Sequence, residues 1–424
     1  MNQLQWGLVA GLAMWSFHVG LSAERAELTT LVAVTVLLVL ASVTMKRMEP
    51  RSRFALLAAA LAIRMLALFH FSTPQLSEDW VRYAWDGWVL NHGHWPTSVV
   101  PDEWEERPPV AWTEDLAWMH SRMNSRQYAG VYPPVAQFVF ALPWRIGVAS
   151  PRAWWKAYQA MLVLVDMMTI CCLMVLLERF GKPWHWAGLY AFHPLVLLEG
   201  IGNGHLELLV IGAGAAGAWC WTGNVRTHRC ADLFGWVAVG LKWLPILALP
   251  AWAWARWEHK RKEGWGWVLL SLAAVACAAM AWSSMRLFAN RFEFHAGPYY
   301  LLRNAWMAAG PFNPIHWLGP LCMAAGLGGV LWSAFRSEWN LAERWTAGWA
   351  LWLACATTVH PWYAMYLIPL GLFTRWTWPI WVSAAGVLSY AHYAALPMVP
   401  WALMAHWGVA AVAVALDWGR RDLA

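Results

Sequence analysis

Repeated apolar stretches of membrane-spanning length constrain this chain more than any other feature. A transmembrane helix needs about 20 mostly apolar residues. The apolar segment 231–256 is interrupted by Lys242 and Pro245, so we expect two short helices there, 231–241 and 245–256. The pattern predicts an all-α polytopic membrane protein with about 13–14 transmembrane helices and a large outer loop carrying juxtamembrane helices. The predicted spans outside 231–256 are 5–22, 28–45, 54–72, 157–177, 185–200, 206–223, 265–285, 314–334, 343–359, 362–376, 378–394 and 401–418.

The composition excludes several other classes of protein. Hydrophobic residues make up 60% of the chain and charged residues only 13%, whereas a soluble protein usually carries about a quarter charged residues. This excludes a disordered chain, a secreted disulfide scaffold and an ordinary cytosolic enzyme. Excess Lys and Arg are typical of the cytoplasmic loops of membrane proteins. The net charge of +6 therefore does not predict a nucleic-acid partner.

The positions of the basic residues predict the orientation in the membrane. All basic clusters fall on one side if both termini are cytoplasmic and the segment 133–148 does not cross. That segment is short and follows Tyr132 with two prolines, which favours a juxtamembrane helix. We expect three domains: a transmembrane hairpin at 1–53, a transmembrane core at 54–394, and a C-terminal transmembrane helix with a cytoplasmic tail at 395–424.

The long hydrophilic stretch 73–134 holds nine of the 24 acidic residues of the chain. Asp79, Arg82 and Asp86 are spaced so that they share one face of a helix. Because this helix would start directly after a transmembrane span, a carboxylate on it could remove a proton from an acceptor hydroxyl at the membrane surface. The same spacing also fits an amphipathic surface helix with an ordinary Asp–Arg pair. We expect 102–115 to be a solvated acidic loop without helices.

Two further polar groups fall on the same predicted outer side. Asn203, His205 and Glu207 lie in a glycine-rich segment between two spans, which fits either close approach to a ligand or a turn with polar caps. Lys242 stands at the break between the two short helices. An ammonium at membrane depth is a functional candidate, unless its long side chain extends to the interface.

Two later outer segments also carry candidate residues, namely Arg291, Glu293, His295 and Arg303 in one, and His360, Trp362 and Tyr363 in the other. A single histidine at a helix end is more often a structural cap than a catalyst. Arg64 and Asp166 are charges within predicted spans, and we expect them to pair with each other in a structural role.

Six ordered blocks resemble the C-type superfamily of glycosyltransferases that use polyprenyl-phosphate sugars, in particular its bacterial mannosyltransferase-like members. The blocks are 77–87, 124–137, 203–207, 241–245, 291–295 and 360–363. The resemblance extends from about residue 54 to residue 394 and so covers most of the chain. The first two predicted spans precede the part of the chain that resembles the family, and they would be an N-terminal addition to its core module.

The resemblance implies a mechanism at the outer face of the bacterial inner membrane. A hexose, by family default mannose, arrives on a polyprenyl phosphate, and an outer-loop carboxylate deprotonates the acceptor hydroxyl, which attacks the anomeric carbon with inversion. The family usually has Asp at the first acidic position of this block, and this chain has Glu78 there. Because of this departure, Asp79 is our preferred base and Glu78 the second choice. Cationic groups stabilise the departing lipid phosphate.

The resemblance also assigns substrate contacts. Asp86 is expected to orient sugar or acceptor hydroxyls, and His205 and His360 to donate hydrogen bonds to phosphate or sugar. Trp80, Trp85 and Trp88 fit equally a sugar-stacking wall or an interfacial belt. The phosphate candidates are Lys242, Arg291 and Arg303, and the remaining predicted substrate-binding residues are Arg82, Tyr132, Asn203, Glu207, Glu293, His295, Trp362 and Tyr363.

Two other functions are compatible with the sequence. A transporter or lipid flippase would do no covalent chemistry, and a ligase would move a preassembled glycan from a polyprenyl pyrophosphate. The acceptor stays open between a glycolipid, a surface glycan, a protein and another hydroxyl compound. The acidic residues could hold a divalent cation or act without one.

Overall fold

The structure, a computed structural model, describes residues 3–47, 50, 52–70, 73–108, 111–223, 228–258, 286–287, 290–310, 312–394 and 399–419. The chain divides into two compact units, Met1–Lys242 and Trp243–Ala424. Within the described residues the secondary structure is helical, and the only strand-like pairing is an isolated bridge between Phe294 and Thr358. The predicted span 265–285 lies outside the described residues.

The first unit begins with a helical hairpin and continues through a group of shorter helices into longer apolar ones. Its helices are α1 (Gln3–Ser22), α2 (Leu28–Arg47), α3 (Arg53–Phe69), α4 (Asp79–Asn91), α5 (Pro101–Glu106), α6 (Glu114–Arg122), α7 (Pro134–Arg145), α8 (Pro151–Arg179), α9 (Ala187–Ala191), a π-helix (Leu195–Gly202), α10 (Glu207–Trp221) and α11 (His228–Leu241). Short 3₁₀ turns lie at Pro96–Ser98 and Trp184–Trp186.

The second unit alternates α-helices with 3₁₀ segments. Its 3₁₀ segments are Leu244–Ala248, Pro361–Tyr366 and Gly386–Tyr393. Its α-helices among the described residues are α12 (Leu249–Glu258), α13 (Pro298–Ala309), α14 (Ile315–Ala334), α15 (Leu341–Cys355), α16 (Leu367–Gly371), α17 (Trp378–Ala385) and α18 (Val399–Gly419). The carboxylate of Asp417 accepts the backbone N–H groups of Thr377 and Trp378, and so caps α17 from the end of α18.

Among the described residues, α2, α8, α14 and α18 are long and apolar enough to cross a bilayer. The π-helix and α10 form a fifth candidate, as a pair bent by 114°. The chain is therefore an all-helical membrane protein with four or five candidate transmembrane elements in its described part.

Two sequence expectations about local structure are wrong. The acidic segment 102–115 is not a loop throughout, because α5 covers its first residues and α6 begins at Glu114. The predicted span 185–200 is not one helix, since α9 ends at Ala191 and the π-helix begins after Pro194, which has no backbone N–H to continue the helix. The predicted juxtamembrane segment 133–148 contains α7.

The contact between α4 and α7 places the candidate base in space. Gly87 on α4 lies so close to α7 that a Cβ there would overlap the backbone carbonyl of Phe140. On the same face of α4, the ring of Tyr83 stacks on that of Phe140 with centroids 4.5 Å apart. Glycine at position 87 therefore sets the distance between the two helices.

Replacing Gly87 by Ala is expected to destabilise the folded protein by about 1–3 kcal/mol, because backbone atoms of α7 must move to admit the methyl group. The measurement is the thermal denaturation midpoint of the detergent-solubilised protein. Gly235→Ala on α11 is the control, since a Cβ at Gly235 meets no atom within 4 Å. Equal midpoints for the two variants would contradict this account of the helix contact.

Candidate active site

Asp79 is the first residue of α4, and its side chain is 21% exposed. Asn124 donates a hydrogen bond from Nδ2 to Asp79 Oδ1 at 3.0 Å. On the other side, His205 Nδ1 lies 3.8 Å from Asp79 Oδ2. Asp79 is therefore a partly accessible carboxylate that accepts a hydrogen bond from Asn124 and lies close to the His205 ring.

Glu78, the second predicted base, has a different partner. Its carboxylate forms an ion pair with Arg25 at 2.6 Å, and Arg25 lies in the turn between α1 and α2. The Glu78 side chain is 43% exposed. This pairing connects Glu78 to the N-terminal hairpin, and the contacts with Asn124 and His205 belong to Asp79.

Arg82 and Asp86 form a buried ion pair instead of a surface pair. Arg82 Nε donates to Asp86 Oδ1 at 2.8 Å, and Gln137 Nε2 donates to Asp86 Oδ2 at 3.2 Å. Arg82 also donates to the carbonyl of Tyr128 at 2.9 Å. Burial raises the pKa of Asp86, while the positive charge of Arg82 opposes that shift. These contacts favour a structural role, in which the pair fastens the 125–128 segment and α7 to α4.

The tryptophans predicted as a sugar-stacking wall are mostly inside the protein. Trp80 and Trp85 are buried, and Trp80 packs against the rings of Trp118 and Trp155 at 5.8 and 5.7 Å between centroids. Trp88 is half-buried and stacks on His92. Trp80 and Trp85 are therefore part of the packing of α4 against its neighbouring helices, and they neither line an open wall nor form a lipid-facing belt.

The glycine-rich segment brings four polar side chains to the interior beside α4. Gly204 adopts φ +74°, and a Cβ there would overlap the ring of Trp155, so glycine is required for this turn. Asn203 Oδ1 accepts the backbone N–H of Leu76 at 3.1 Å, which links the turn to the segment preceding α4. The four buried residues of this segment are Glu199, Asn203, His205 and Glu207.

Lys242 belongs to the same interior. It forms an ion pair with Glu207, and the Lys242 side chain is 14% exposed. Burial raises the pKa of the Tyr83 hydroxyl well above its ordinary value, and Asp79 and Glu207 are both among the charges that add to this effect. Because Tyr83 interacts with both carboxylates, the candidate base and the ammonium of Lys242 lie near one polar interior of the first unit.

Sequence reasoning missed three residues of this interior. Tyr83, Trp155 and Tyr158 were hidden among the many aromatic residues of the chain, and the four-residue spacing of Tyr83 from Asp79 on α4 was the one available signal. Tyr158 Oη and Trp155 Nε1 are buried and make no hydrogen bond in the part of the chain that the structure describes. Such groups usually have a partner, so both are candidates for contact with substrate. Tyr132, which was predicted, packs edge-on against Tyr83.

The remaining predicted residues lie in the second unit, and one of them, Arg303, approaches the predicted Glu293. Glu293 accepts hydrogen bonds from Tyr299 and Asn313, and Arg303 Nε lies 3.5 Å from its Oε2. Arg291 is exposed. Arg303 is thus held by a carboxylate, whereas Arg291 points to the surface of the unit.

A second cluster of the same unit gathers rings around Phe294. His360 stacks between Phe294 and Trp362, with centroids 4.5 and 4.3 Å away, and Tyr363 meets His360 edge-on. His295 is buried, and its Nε2 lies 2.9 Å from His406 Nδ1. The structure therefore brings the predicted His295, His360, Trp362 and Tyr363 together.

His295 makes stability depend on pH. Burial, with smaller contributions from His406 and other histidines, lowers the pKa of His295 to about 2. In the unfolded chain a histidine has a pKa of about 6.5, so below that pH the unfolded state binds more protons. The stabilisation is complete above pH 6.5 and is lost as pH falls, by about 1.4 kcal/mol per pH unit.

We therefore expect the thermal denaturation midpoint to fall between pH 7.5 and pH 5.5, and to fall less in a His295→Gln variant. The exposed His316 supplies the control, because His316→Gln should keep the pH dependence of the parent protein. Parallel pH curves for His295→Gln and the parent would contradict the assignment.

One group of residues among those described could hold a metal ion, and it consists of Asp102, Glu105 and His120. His120 Nε2 lies 2.9 Å from Asp102, its Nδ1 lies 3.4 Å from Glu105, and Arg126 approaches Asp102 at 3.3 Å. These contacts connect α5 to α6. The expectation of a divalent cation stays open, and the group does not include Asp79.

The fold and the site can also be compared with known proteins. No family model, curated protein or solved structure matches the chain.

Proposed function

We propose that the protein is a membrane glycosyltransferase that resembles the C-type superfamily and transfers a hexose, mannose by preference, from a polyprenyl phosphate to an acceptor hydroxyl. The observation that carries the proposal is Asp79, a partly exposed carboxylate that accepts a hydrogen bond from Asn124 and lies 3.8 Å from His205, in the same unit as the Glu207–Lys242 ion pair. A water-accessible base and a cation in one unit suit an acceptor from outside and a phosphate donor from the bilayer.

The residues divide into roles along the reaction. Asp79 takes the proton of the acceptor hydroxyl, whose oxygen attacks the anomeric carbon from the face opposite the phosphate, so that the configuration inverts. Lys242 stabilises the negative charge that develops on the leaving phosphate, and Glu207 holds its ammonium in position between turnovers. Tyr158 and Trp155, which make no hydrogen bond to any other described residue, supply donors for sugar or phosphate oxygens. Within the second unit, taken by itself, Arg291, Arg303, Glu293 and the His360 cluster are proposed as sugar- or phosphate-binding residues.

The membrane arrangement forms part of the same proposal. We propose about 13–14 transmembrane helices in the bacterial inner membrane, cytoplasmic termini and a site on the outer side. The distribution of basic residues supports this orientation, because the Lys and Arg clusters that follow the predicted spans all fall on one side of the membrane when both termini are cytoplasmic. The domains are a hairpin at 1–53, a core at 54–394 and a final helix with tail at 395–424.

A transporter is the second candidate, and one observation favours it. The π-helix and α10 form a bent pair around buried polar residues, and transporters bind substrates at such discontinuous helices. A transporter would move its substrate across the membrane unchanged, whereas a transferase would cleave the sugar from the lipid.

The deciding experiment supplies the purified protein in lipid nanodiscs or liposomes with radiolabelled polyprenyl-phosphate sugars, namely mannose, glucose, galactose and a pentose. Membrane glycolipids and glycans serve as acceptors, and product masses are measured. We expect one donor to be consumed and the product to gain the mass of one sugar. Passage of intact donor across liposomes without product would support transport, and addition of a long glycan from a pyrophosphate donor would support a ligase. The Asp79→Asn variant is the matched control.

A further inference from the structure

Two candidate transmembrane helices end close together, at a cluster of positive charges. Lys46 and Arg47 belong to the last turn of α2, and Arg179 ends α8. Both helices are long and apolar enough to cross a bilayer. Basic residues at the end of such a helix lie at the level of the lipid headgroups. Because Trp155 of the candidate active site lies about 35 Å away along α8, the cluster belongs to the opposite membrane surface.

The indole of Trp186 brings together one cation from each helix end. The ammonium nitrogen of Lys46 lies 4.2 Å from the centroid of this ring, and that of Lys182 lies 5.6 Å from it. An aromatic ring attracts a cation that lies within about 6 Å of its centroid. Two like charges held beside one ring repel each other, so an anion that lies near both would be attracted strongly.

The backbone on both sides of the indole fixes this arrangement. Gly181 adopts φ +67°, and the N–H of Lys182 donates to the carbonyl of Leu177 at 2.8 Å. This closure of a helix end turns the chain back over the end of α8. After the indole, a Cβ on Gly188 of α9 would lie only 3.3 Å from the Cβ of Met45, so α9 packs closely on the last turn of α2. The ring therefore has a defined position between the two helix ends.

The described residues around this ring are mostly basic among their charged members. The stretches 44–47, 52–56 and 176–186 contain five Lys and Arg residues and one carboxylate, Glu178. That carboxylate forms an ion pair with Arg53. These stretches therefore carry a net positive charge at a membrane surface, and a negatively charged lipid headgroup is complementary to it.

We infer that the ring of Trp186 with Lys46 and Lys182 forms a binding site for an anionic phospholipid. The phosphate of the lipid lies between the two ammonium groups, and its acyl chains stay in the bilayer beside α2 and α8. The inference is independent of the proposed function, since no residue of the candidate active site takes part. The alternative is a basic helix end that sets only the orientation in the membrane and attracts anionic lipids by its net charge, without a defined site.

The test measures lipid retention by the full chain in detergent with native mass spectrometry. The protein receives equal amounts of phosphatidylglycerol and phosphatidylcholine with the same acyl chains. We expect the parent protein to retain phosphatidylglycerol in preference. Lys46→Gln and Lys182→Gln should each weaken its binding about 5-fold, and the double variant about 30-fold. Lys46→Arg combined with Lys182→Arg keeps both cations beside the ring and should retain the lipid.

A matched control removes two positive charges from the second unit. The Arg336 guanidinium lies 4.1 Å from the centroid of the Trp332 ring and 3.7 Å from a carboxylate oxygen of Glu338. Arg375 Nε lies 3.2 Å from Glu343 Oε1. Arg336→Gln combined with Arg375→Gln lowers the net charge equally and should leave the binding of phosphatidylglycerol unchanged. Equal weakening in the two Gln double variants would overturn the site, and so would equal retention of both lipids by the parent protein.

Two further arms separate the lipid from a free anion and guard against misfolding. Soluble glycerol phosphate at the concentration of the lipid should not displace it, because glycerol phosphate has no acyl chains; displacement would overturn the assignment to a lipid. Thermal midpoints measured without lipid should agree for the parent and the Lys46→Gln, Lys182→Gln double variant. If that variant fails to fold, the Arg double variant decides, because its failure to retain phosphatidylglycerol would overturn the site.

Discussion

Asp79→Asn is expected to lower the kcat for sugar transfer by about 10²- to 10⁴-fold, the range that a general base contributes. An amide has the size of the carboxylate but cannot accept the proton of the acceptor hydroxyl. The Asn side chain still offers an oxygen to Asn124, so the local fold should be kept. The measurement is the rate of donor consumption, with the thermal midpoint of the variant as the check on folding.

Glu78→Gln is the matched control for that experiment. Because Glu78 pairs with Arg25 at a partly exposed position, its loss should change the rate only a few-fold. If Glu78→Gln were inactive and Asp79→Asn active, Glu78 would be the base. Full activity of both variants would remove the base from this part of the chain.

Arg64→Met is expected to destabilise the protein by about 3–5 kcal/mol, because it leaves the Asp166 carboxylate buried without its cation. Arg64 Nε donates to Asp166 Oδ2 at 2.8 Å, and both side chains are fully buried. Tyr190 adds a hydrogen bond to Asp166 at 2.7 Å. The free energy of unfolding would be measured by titration with denaturing detergent.

Two companion variants show whether the isolated charge causes the effect. Arg64→Met combined with Asp166→Leu should regain much of the stability, since an apolar pair of similar volume can replace a buried ion pair. Arg53→Gln breaks the exposed Arg53–Glu178 pair and should change the stability by less than about 1 kcal/mol. A double variant as unstable as Arg64→Met would contradict the explanation by charge.

Sequence periodicity and apolar length predicted much of the helical framework. The predicted spans 28–45, 157–177 and 401–418 lie within α2, α8 and α18, because apolar runs of this length have no lower-energy alternative in a bilayer. The Arg64–Asp166 pairing is confirmed, since two opposite charges in neighbouring apolar helices compensate one another.

The arrangement inside the first unit could not be read from the sequence, for reasons of geometry. Arg82 and Asp86 have the spacing of a surface pair, and the packing of α7 and of the 125–128 segment against α4 buries them. The π-helix inserts an extra residue per turn, which hydropathy does not register. The roles assigned to Asp79, Lys242 and the residues of the second unit stay predictions until turnover is measured.

The ion pair between Arg25 and Glu78 bears on how far the chain could be shortened. It joins the loop of the first two helices to the residue beside the candidate base, and Gly20 of α1 leaves no room for a Cβ against Leu198 of the π-helix. A version starting at Ser52 would lose both contacts. It would also expose the surface of the π-helix that α1 covers, next to the turn that carries His205. The N-terminal hairpin is thus an integral support of the candidate site rather than a detachable anchor.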